Sequence, residues 1–254
     1  MIDAGIFTGS GFYDLDADSL ESQQVSTDYG DVQVDIYEVA GKRVGHIARH
    51  GRNHEKLPNM INHRANVSVF SQLGAKLIIG TTVCGITNPE IDLGKLLLFT
   101  DLYYPDNRLP DGDVCTFYTK PGDVKRGHYL FGSPFHLKTI QELSDTDTFT
   151  NVTYGYVNGP RFNSQAEIRM IGQYCDAVSQ TAGPECILAG ELEIPYVLLG
   201  FGVDYANGVA DEPTPVDVLN SNMEKSTAVF AETIDTILRK LASPEFEGFI
   251  YRFE

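Results

Sequence analysis

The chain has 254 residues, is 42% hydrophobic, contains no Trp, and sets 35 Asp and Glu against 19 Lys and Arg, a formal net charge of −16. That length suits one sizeable core. The acidic balance excludes the broad basic face that nucleic acid or an anionic membrane requires, so any anionic ligand needs a small local site.

Short apolar runs alternate with helical patterns almost from end to end, the signature of an α/β fold. We read residues 1–254 as a single domain. "AGIF" predicts a first strand; "VQVDIYEVAG" and "KRVGHIARH" follow, with apolar residues mostly alternating as a half-buried sheet face requires. From Ile61 the period changes. Ile61, Ala65, Val69, Phe70 and Leu73 predict a helix entered through Pro58 and Asn59 and closed at Gly74. "KLIIGTTVC" and "KLLLFTDLY" predict central strands, apolar on both sides, joined by the turn-rich "GITNPEIDLG". Tyr103 to Gly132, with its Pro, Gly and Asp residues, predicts an irregular, mobile or interface stretch. "TNVTYGYVNG" predicts a strand, Ser164 to Cys175 and Gly183 to Leu192 predict helices, and "PYVLLGFGVDYANG" predicts a strand running into a glycine loop. A last helix opens with Thr214 as cap and Pro215 in the first turn, then repeats Leu219, Met223, Phe230, Ile234, Ile237 and Leu241.

Cys84, Cys115, Cys175 and Cys186 show neither CxxC pairing nor metal-ligand spacing and read as reduced, buried thiols. The N-terminus carries no basic, then apolar, export signal, and no segment approaches the roughly 18 to 20 apolar residues of a membrane span. The expected location is the cytoplasm.

Several strand ends carry polar residues suited to chemistry. "GIFTGSG", Gly5 to Gly11, turns through Gly9 and Gly11, so that backbone N–H groups and the hydroxyls of Thr8 and Ser10 are either an anion cradle or a plain tight turn. It lacks the ending of a P-loop and the third Gly of a dinucleotide fingerprint. "GHIARHGRNHEKLPNMINHRAN", Gly45 to Asn66, gathers four of six histidines beside Arg43, Arg49, Arg52 and Arg64. A metal site, an anion site and a solvated patch are its three readings. His46, His50 and His54 would share one helix face, yet the alternation before Gly51 is that of a strand. Arg49 and His50 at a strand end instead suit an oxyanion, through a bidentate guanidinium fork and one imidazole donor, or else a surface ion-pair cluster. "GTTVCGI" places two hydroxyls at the carboxyl end of a buried strand, where open α/β sheets hold ligands. Phe162 in "GPRFNSQAE" and Asp204 in "GVDYANG" occupy similar turns; core packing and turn capping are their plainer readings.

In this order and at these separations, "GIFTGSG", "ARHGRNHEKLPNMINHRAN", "TTVCG", "NGPRFNSQAE" and "VDYANG" resemble the trimeric purine nucleoside phosphorylases, most of all their 5′-methylthioadenosine phosphorylase branch. The resemblance implies a mixed β-sheet, partly closed into a barrel and flanked by helices. It also implies a homotrimer with purine nucleoside and inorganic phosphate as substrates, and neither a cofactor nor a metal. The phosphate attacks the anomeric carbon through an oxocarbenium-like transition state, so an oxyanion must be held beneath the sugar and the departing base neutralised. By match to the motif, Ser10, Arg49, His50, Thr82 and the backbone at Val83 hold phosphate. Thr181 and the backbone of Gln180 lie at the sugar, Phe162 packs on the purine, and Asp204 accepts from the base and serves N7. Val218 lines the 5′ pocket, and Asn62 and Asn66 support the phosphate loop; Arg52, His54 and Arg64 have no catalytic role.

The departures bear on substrate choice. Gln180 stands where the branch has Met, Ala206 where it has a second Asp, and Asn222 where an apolar residue is usual. The loop ending "GHYLFGSPFH" is shorter than the family's form, so a 5′-binding role for His128 is a guess. Asp204 favours a 6-aminopurine, the loss of the second Asp weakens that, and two amides near the sugar would tolerate a 5′-hydroxyl. Methylthioadenosine phosphorolysis is the expectation, with 6-oxopurine nucleoside or methylthioinosine phosphorolysis as the alternative. Nucleoside hydrolysis and a non-catalytic ligand-binding protein stand further back.

Overall fold

The computed structural model of the protein describes all residues except 14, 16–18, 144–147, 243 and 254. Its strands are β1 (Ala4–Thr8), β2 (Ser19–Thr27), β3 (Gly30–Val39), β4 (Lys42–Ala48), β5 (Ile78–Ile86), β6 (Leu96–Tyr103), β7 (Gly127–Leu130), β8 (Thr148–Tyr156), β9 (Ala177–Ser179), β10 (Tyr196–Tyr205) and β11 (Phe249–Arg252). The helices are α1 (His63–Gln72), α2 (Leu137–Leu143), α3 (Gln165–Ile171), α4 (Ala182–Glu191) and α5 (Val216–Lys240), with a 3₁₀ turn at Pro58–Met60.

Nine strands form one mixed sheet in the order β10-β6-β8-β9-β5-β1-β4-β3-β2, and a further pairing of β10 with β5 closes the first five into a barrel. The barrel anticipated from the family resemblance is therefore present, with β1, β4, β3 and β2 running outward from β5. β5 is the seam. It pairs in parallel with β1 and β10, and Ile78 to Thr82 are all buried, as a strand covered on both faces requires. β10 is buried from Tyr196 to Val203, and its last two residues, Asp204 and Tyr205, emerge at the same end as the close of β5. This shared end is where polar side chains leave the core.

α1 begins at Asn62, whose side chain accepts from the Ala65 N–H, and buries Ala65, Val69 and Phe70, the predicted face. Phe70 packs at 4.7 Å on Phe7 of β1, joining helix and sheet. A fully buried ring of this kind contributes roughly 1.5–3 kcal/mol. All four cysteines are free and buried, and burial pushes each thiol up.

Sequence and structure differ at several elements. β2 reads "SLESQQVST", almost wholly polar, and lies at the sheet edge, so no hydrophobic alternation announces it. β9 has three residues, too few for any period. α2 was also unforeseen. The stretch expected to be irregular contains β7, which pairs antiparallel with the unforeseen β11. The helix expected through Cys175 ends at Ile171, where Gly172 closes it. Thr214 does not cap α5: its hydroxyl accepts from the Tyr205 N–H and ties the loop to β10, while Pro215 takes the cap position without a side-chain bond. The N-terminal half of α5, with exposed Val216 and Val218, lies over the strand ends, and its C-terminal half buries Phe230, Ile234 and Ile237.

Candidate active site

Arg49 follows β4 and is 1% exposed. Its Nε and Nη2 donate to Glu185 Oε1 and Oε2 at 2.5 and 2.9 Å, and its Nη1 donates to the Thr81 carbonyl at 2.6 Å. Phe7 lies beneath the guanidinium at 5.6 Å. A cation this deep needs a counter-charge at contact distance. Burial opposes the charge, and Glu185 outweighs it, holding the guanidinium above its ordinary value. The expected bidentate fork toward an oxyanion is thus already committed within the protein. Two N–H groups remain, one on Nη1 and one on Nη2, and Nη1 faces the glycine turn: a Cβ on Gly9 would lie 3.2 Å from it.

Glu185 itself is fully buried in the first turn of α4, accepts from Tyr196 Oη at 2.7 Å, and has His63 Nδ1 at 3.8 Å. Gly80 makes room for this group, because a Cβ there would sit 2.1 Å from Tyr196 Oη and 3.0 Å from Arg49 Nη2. The sequence reading did not single out Glu185. An acidic residue inside an otherwise apolar helix, "AGPECILAGE", was the available signal.

Around the guanidinium the predicted phosphate residues gather. Ser10 sits in the turn after β1, where Gly11 takes φ +80° and the Phe12 N–H donates to the Gly9 carbonyl. Thr8 does not join this cradle, since its hydroxyl bonds His46 Nε2 at 2.7 Å in the core. His50 is 4% exposed, and its Nδ1 donates to the Lys56 carbonyl at 2.8 Å, which turns Nε2 outward as the free ring position. Burial, with Arg49 and His54 beside it, pulls the imidazole down to about 4, so near neutrality Nε2 offers a lone pair where the sequence reading expected a donor. On β5, Thr82 donates to Ser179 Oγ at 2.7 Å, and Tyr154 Oη approaches the same oxygen at 2.7 Å. Val83 follows Thr82 in the ladder, and Thr181 leads into α4, its hydroxyl uninvolved in capping. At the N-terminus of α4 the Ala182 N–H donates to Tyr154 Oη at 3.2 Å, so this helix start is tied to the same hydroxyl chain.

Asp204, next to last in β10, has no charged partner among the described residues, and burial pushes its carboxyl up to about 6. Phe162 is 81% exposed on the loop before α3. That loop is fixed at three points: Arg161 forks onto Glu167, Gln180 Nε2 donates to the Arg161 carbonyl at 3.0 Å, and Asn207 Nδ2 donates to the Asn163 carbonyl at 2.7 Å. Val218 is 40% exposed on the first turn of α5. The two amides expected to face the sugar are both turned to backbone, Gln180 to Arg161 and Asn222 to the Val203 carbonyl at 3.0 Å. Ala206 packs with Ile168, Ile171, Cys175 and Val178, where a second carboxylate would be buried among apolar side chains.

The remaining basic cluster disperses into separate partners. Arg43 pairs with Glu21, Arg52 with Asp35, and Arg64 with Asp113 and the carbonyls of Val114 and Thr116. His46 lies on β4 and His54 beyond Gly51, so no helix face unites the three histidines; His54 stacks on His50 at 4.5 Å and bonds Tyr13 Oη. Asn62 caps α1 and donates to the Tyr29 carbonyl. His128 lies exposed on β7, edge-on to Phe253, outside this group.

A closed α/β barrel that carries a buried guanidinium beside a glycine turn, with a half-buried carboxyl at the end of β10, offers groups that can hold an oxyanion and meet a ligand's polar edge. The sequence model of the phosphorylase superfamily matches residues 3–239. A 6-oxopurine nucleoside phosphorylase of Pyrococcus furiosus is 32% identical over 87% of this chain and 86% of its own. An S-methyl-5′-thioadenosine phosphorylase of Pyrococcus horikoshii is 30% identical over 92% of each. Methylthioadenosine phosphorylase from Schistosoma mansoni, solved with adenine, shares the fold with a TM-score of 0.80 at 23% identity, covering 95% of this chain and 93% of that one. The chain belongs to the phosphorylase superfamily, among its purine nucleoside phosphorylases.

Proposed function

We propose that the protein catalyses phosphorolysis of a purine nucleoside, foremost S-methyl-5′-thioadenosine with phosphate to adenine and 5-methylthioribose 1-phosphate. The observation that carries this is the buried Arg49–Glu185 pair, which holds Nη1 on the Thr81 carbonyl and facing Gly9 of the turn that contains Ser10. Water as nucleophile needs no such clamp. Phosphate, held by Ser10, Arg49, His50, Thr82 and the Val83 backbone, attacks C1′ from beneath the sugar while Thr181 and the Gln180 backbone hold the hydroxyls. Phe162 covers the purine, Val218 borders the 5′ group, and Asp204 stabilises the leaving base. Phosphate is a co-substrate, and no cofactor enters.

One observation favours a second reading, the 6-oxopurine or methylthioinosine substrate. The raised Asp204 carboxyl accepts from a 6-amino group when ionised and donates to a 6-oxo group when protonated, and no second acid stands at Ala206. Relatives of both kinds are about equally similar. The deciding experiment is a panel of methylthioadenosine, methylthioinosine, adenosine, inosine and guanosine, with and without phosphate. Turnover that survives phosphate omission overturns phosphorolysis.

We place the enzyme in the cytoplasm as a homotrimer. Four free, buried thiols suit a reducing compartment, and among the described residues no helix is long and apolar enough to cross a membrane. Exposed Leu130, Phe131, Phe249 and Tyr251 on and beside β7 and β11 suit a subunit contact, which sedimentation tests.

A further inference from the structure

β10 is irregular just before its functional residue. Its ladder with β5 runs in step from Tyr196 to Gly202, which faces Cys84; then Asp204 faces Gly85, so Val203 is an extra residue, a bulge. A bulge turns the next side chain and leaves a backbone group outside the ladder. The Val203 side is 94% buried, so its carbonyl needs a partner from the protein. Asn222 Nδ2, from α5, donates to it at 3.0 Å. The other end of the amide lies against Gly94, where a Cβ would stand 2.9 Å from Asn222 Oδ1. Gly94 in turn donates its N–H to the Gly202 carbonyl at 2.8 Å and accepts from Lys225 Nζ at 2.8 Å. Two successive carbonyls ahead of Asp204 are thereby held, one by the loop before β6 and one by Asn222.

We propose that Asn222 is a positioning residue for Asp204: its amide holds the Val203 bulge and so aims the carboxyl at the base, and it does not read the 5′ substituent of the sugar. This rests on Asp204 being the reader of the base. An apolar residue of similar size would fill the space on α5 but leave the bulge carbonyl unpaired.

The test compares wild type with Asn222→Leu, which keeps volume without the donor, and Asn222→Asp, which keeps shape but offers acceptors only. These differ in how they could perturb folding, one by crowding Gly94 and one by adding charge, so either folded variant carries the test. With methylthioadenosine, adenosine, methylthioinosine and inosine as substrates, we expect kcat to fall about tenfold and the 6-amino to 6-oxo ratio to shift. KM for phosphate and the ratio of 5′-methylthio to 5′-hydroxyl substrates should hold. A changed 5′ ratio with an unchanged base ratio would make Asn222 a sugar reader and overturn the proposal. So would equal losses on every substrate accompanied by a raised phosphate KM, the mark of general loosening, or unaltered kinetics. Asp204→Asn runs alongside. If it leaves the base ratio unmoved, Asp204 is not the reader and the role of Asn222 falls with it; if it moves the ratio while the Asn222 variants do not, only the positioning role falls.

Discussion

Glu185 grips Arg49 with both carboxylate oxygens, and neither side chain reaches solvent. The pair explains how the protein keeps a cation buried at the proposed phosphate site. Arg49 is neutralised within the fold and turns a free N–H of Nη1 toward Gly9, so for the proposed oxyanion selectivity would come from geometry more than from net charge. Removing one partner of such a pair typically costs about 3–5 kcal/mol, because the other is left buried and charged. Glu185→Leu should therefore lower unfolding free energy in urea by about that amount. The double variant Arg49→Met with Glu185→Leu should recover most of the stability and none of the activity. Equal stability of the single and double variants would show that the pair does not act as a unit.

The Thr82 hydroxyl is spoken for by Ser179, and Tyr154 binds the same oxygen. This chain of three hydroxyls fixes the rotamer of a proposed phosphate ligand from the neighbouring strands β9 and β8. Ser179→Ala should raise KM for phosphate by about three- to tenfold, the worth of one neutral hydrogen bond, and leave KM for the nucleoside unchanged. Initial rates over a phosphate series at saturating nucleoside measure it; a change confined to nucleoside KM would place Ser179 elsewhere in the mechanism.

Much of this was legible in the sequence where one residue's own periodicity or chemistry carried the signal. The apolar runs of β5 and β10, the helix expected from Ile61, and the placement of Ser10 and Asp204 at strand ends follow from local pattern, whereas Thr82, expected at a strand's carboxyl end, lies in the middle of β5, which runs on to Ile86. What was not legible depends on partners distant in the chain. Glu185 lies 136 residues from Arg49, and nothing near either announces the other. The edge strand β2 carries polar residues because only one neighbour covers it, so its alternation is silent. Gln180 and Asn222 were placed near the sugar by their positions in the family pattern; only the fold reveals that their amides already donate to the carbonyls of Arg161 and Val203.

His63 is fully buried at the start of α1, and neither ring nitrogen has a hydrogen-bond partner. Burial, then the nearby Arg49 charge, pulls it down to about 3, and His50 sits at about 4. Both are neutral in the fold, while the unfolded chain takes up protons near 6.5. The sign follows: as pH falls below about 6.5 the unfolded state binds protons that the native state refuses, so stability drops toward pH 4. His63→Met should flatten that decline and cost little at pH 7, since it also removes two unsatisfied nitrogens. Urea midpoints of both proteins between pH 4 and 7.5 test this, and parallel curves would refute the assignment.

Asp204 titrates in the opposite sense for stability. Its folded value of about 6 exceeds the ordinary 3.8 because burial penalises the charge. Between those values the native state keeps a proton that the unfolded chain has released, so raising pH through this window favours unfolding. Relative to Asp204→Asn, which cannot ionise, the wild type should lose thermal stability from pH 4 to 6 and run parallel above. The same titration divides the substrates. In kcat/KM, which reports the free enzyme, activity on 6-oxopurine nucleosides should follow the protonated carboxyl and activity on 6-aminopurine nucleosides the carboxylate. The inosine to adenosine ratio should then fall by about tenfold per pH unit across and above pH 6. Rate profiles from pH 5 to 8.5 on both nucleosides measure it. A ratio independent of pH would mean that Asp204 meets the two bases in one protonation state, and that the 6-position is read by another group.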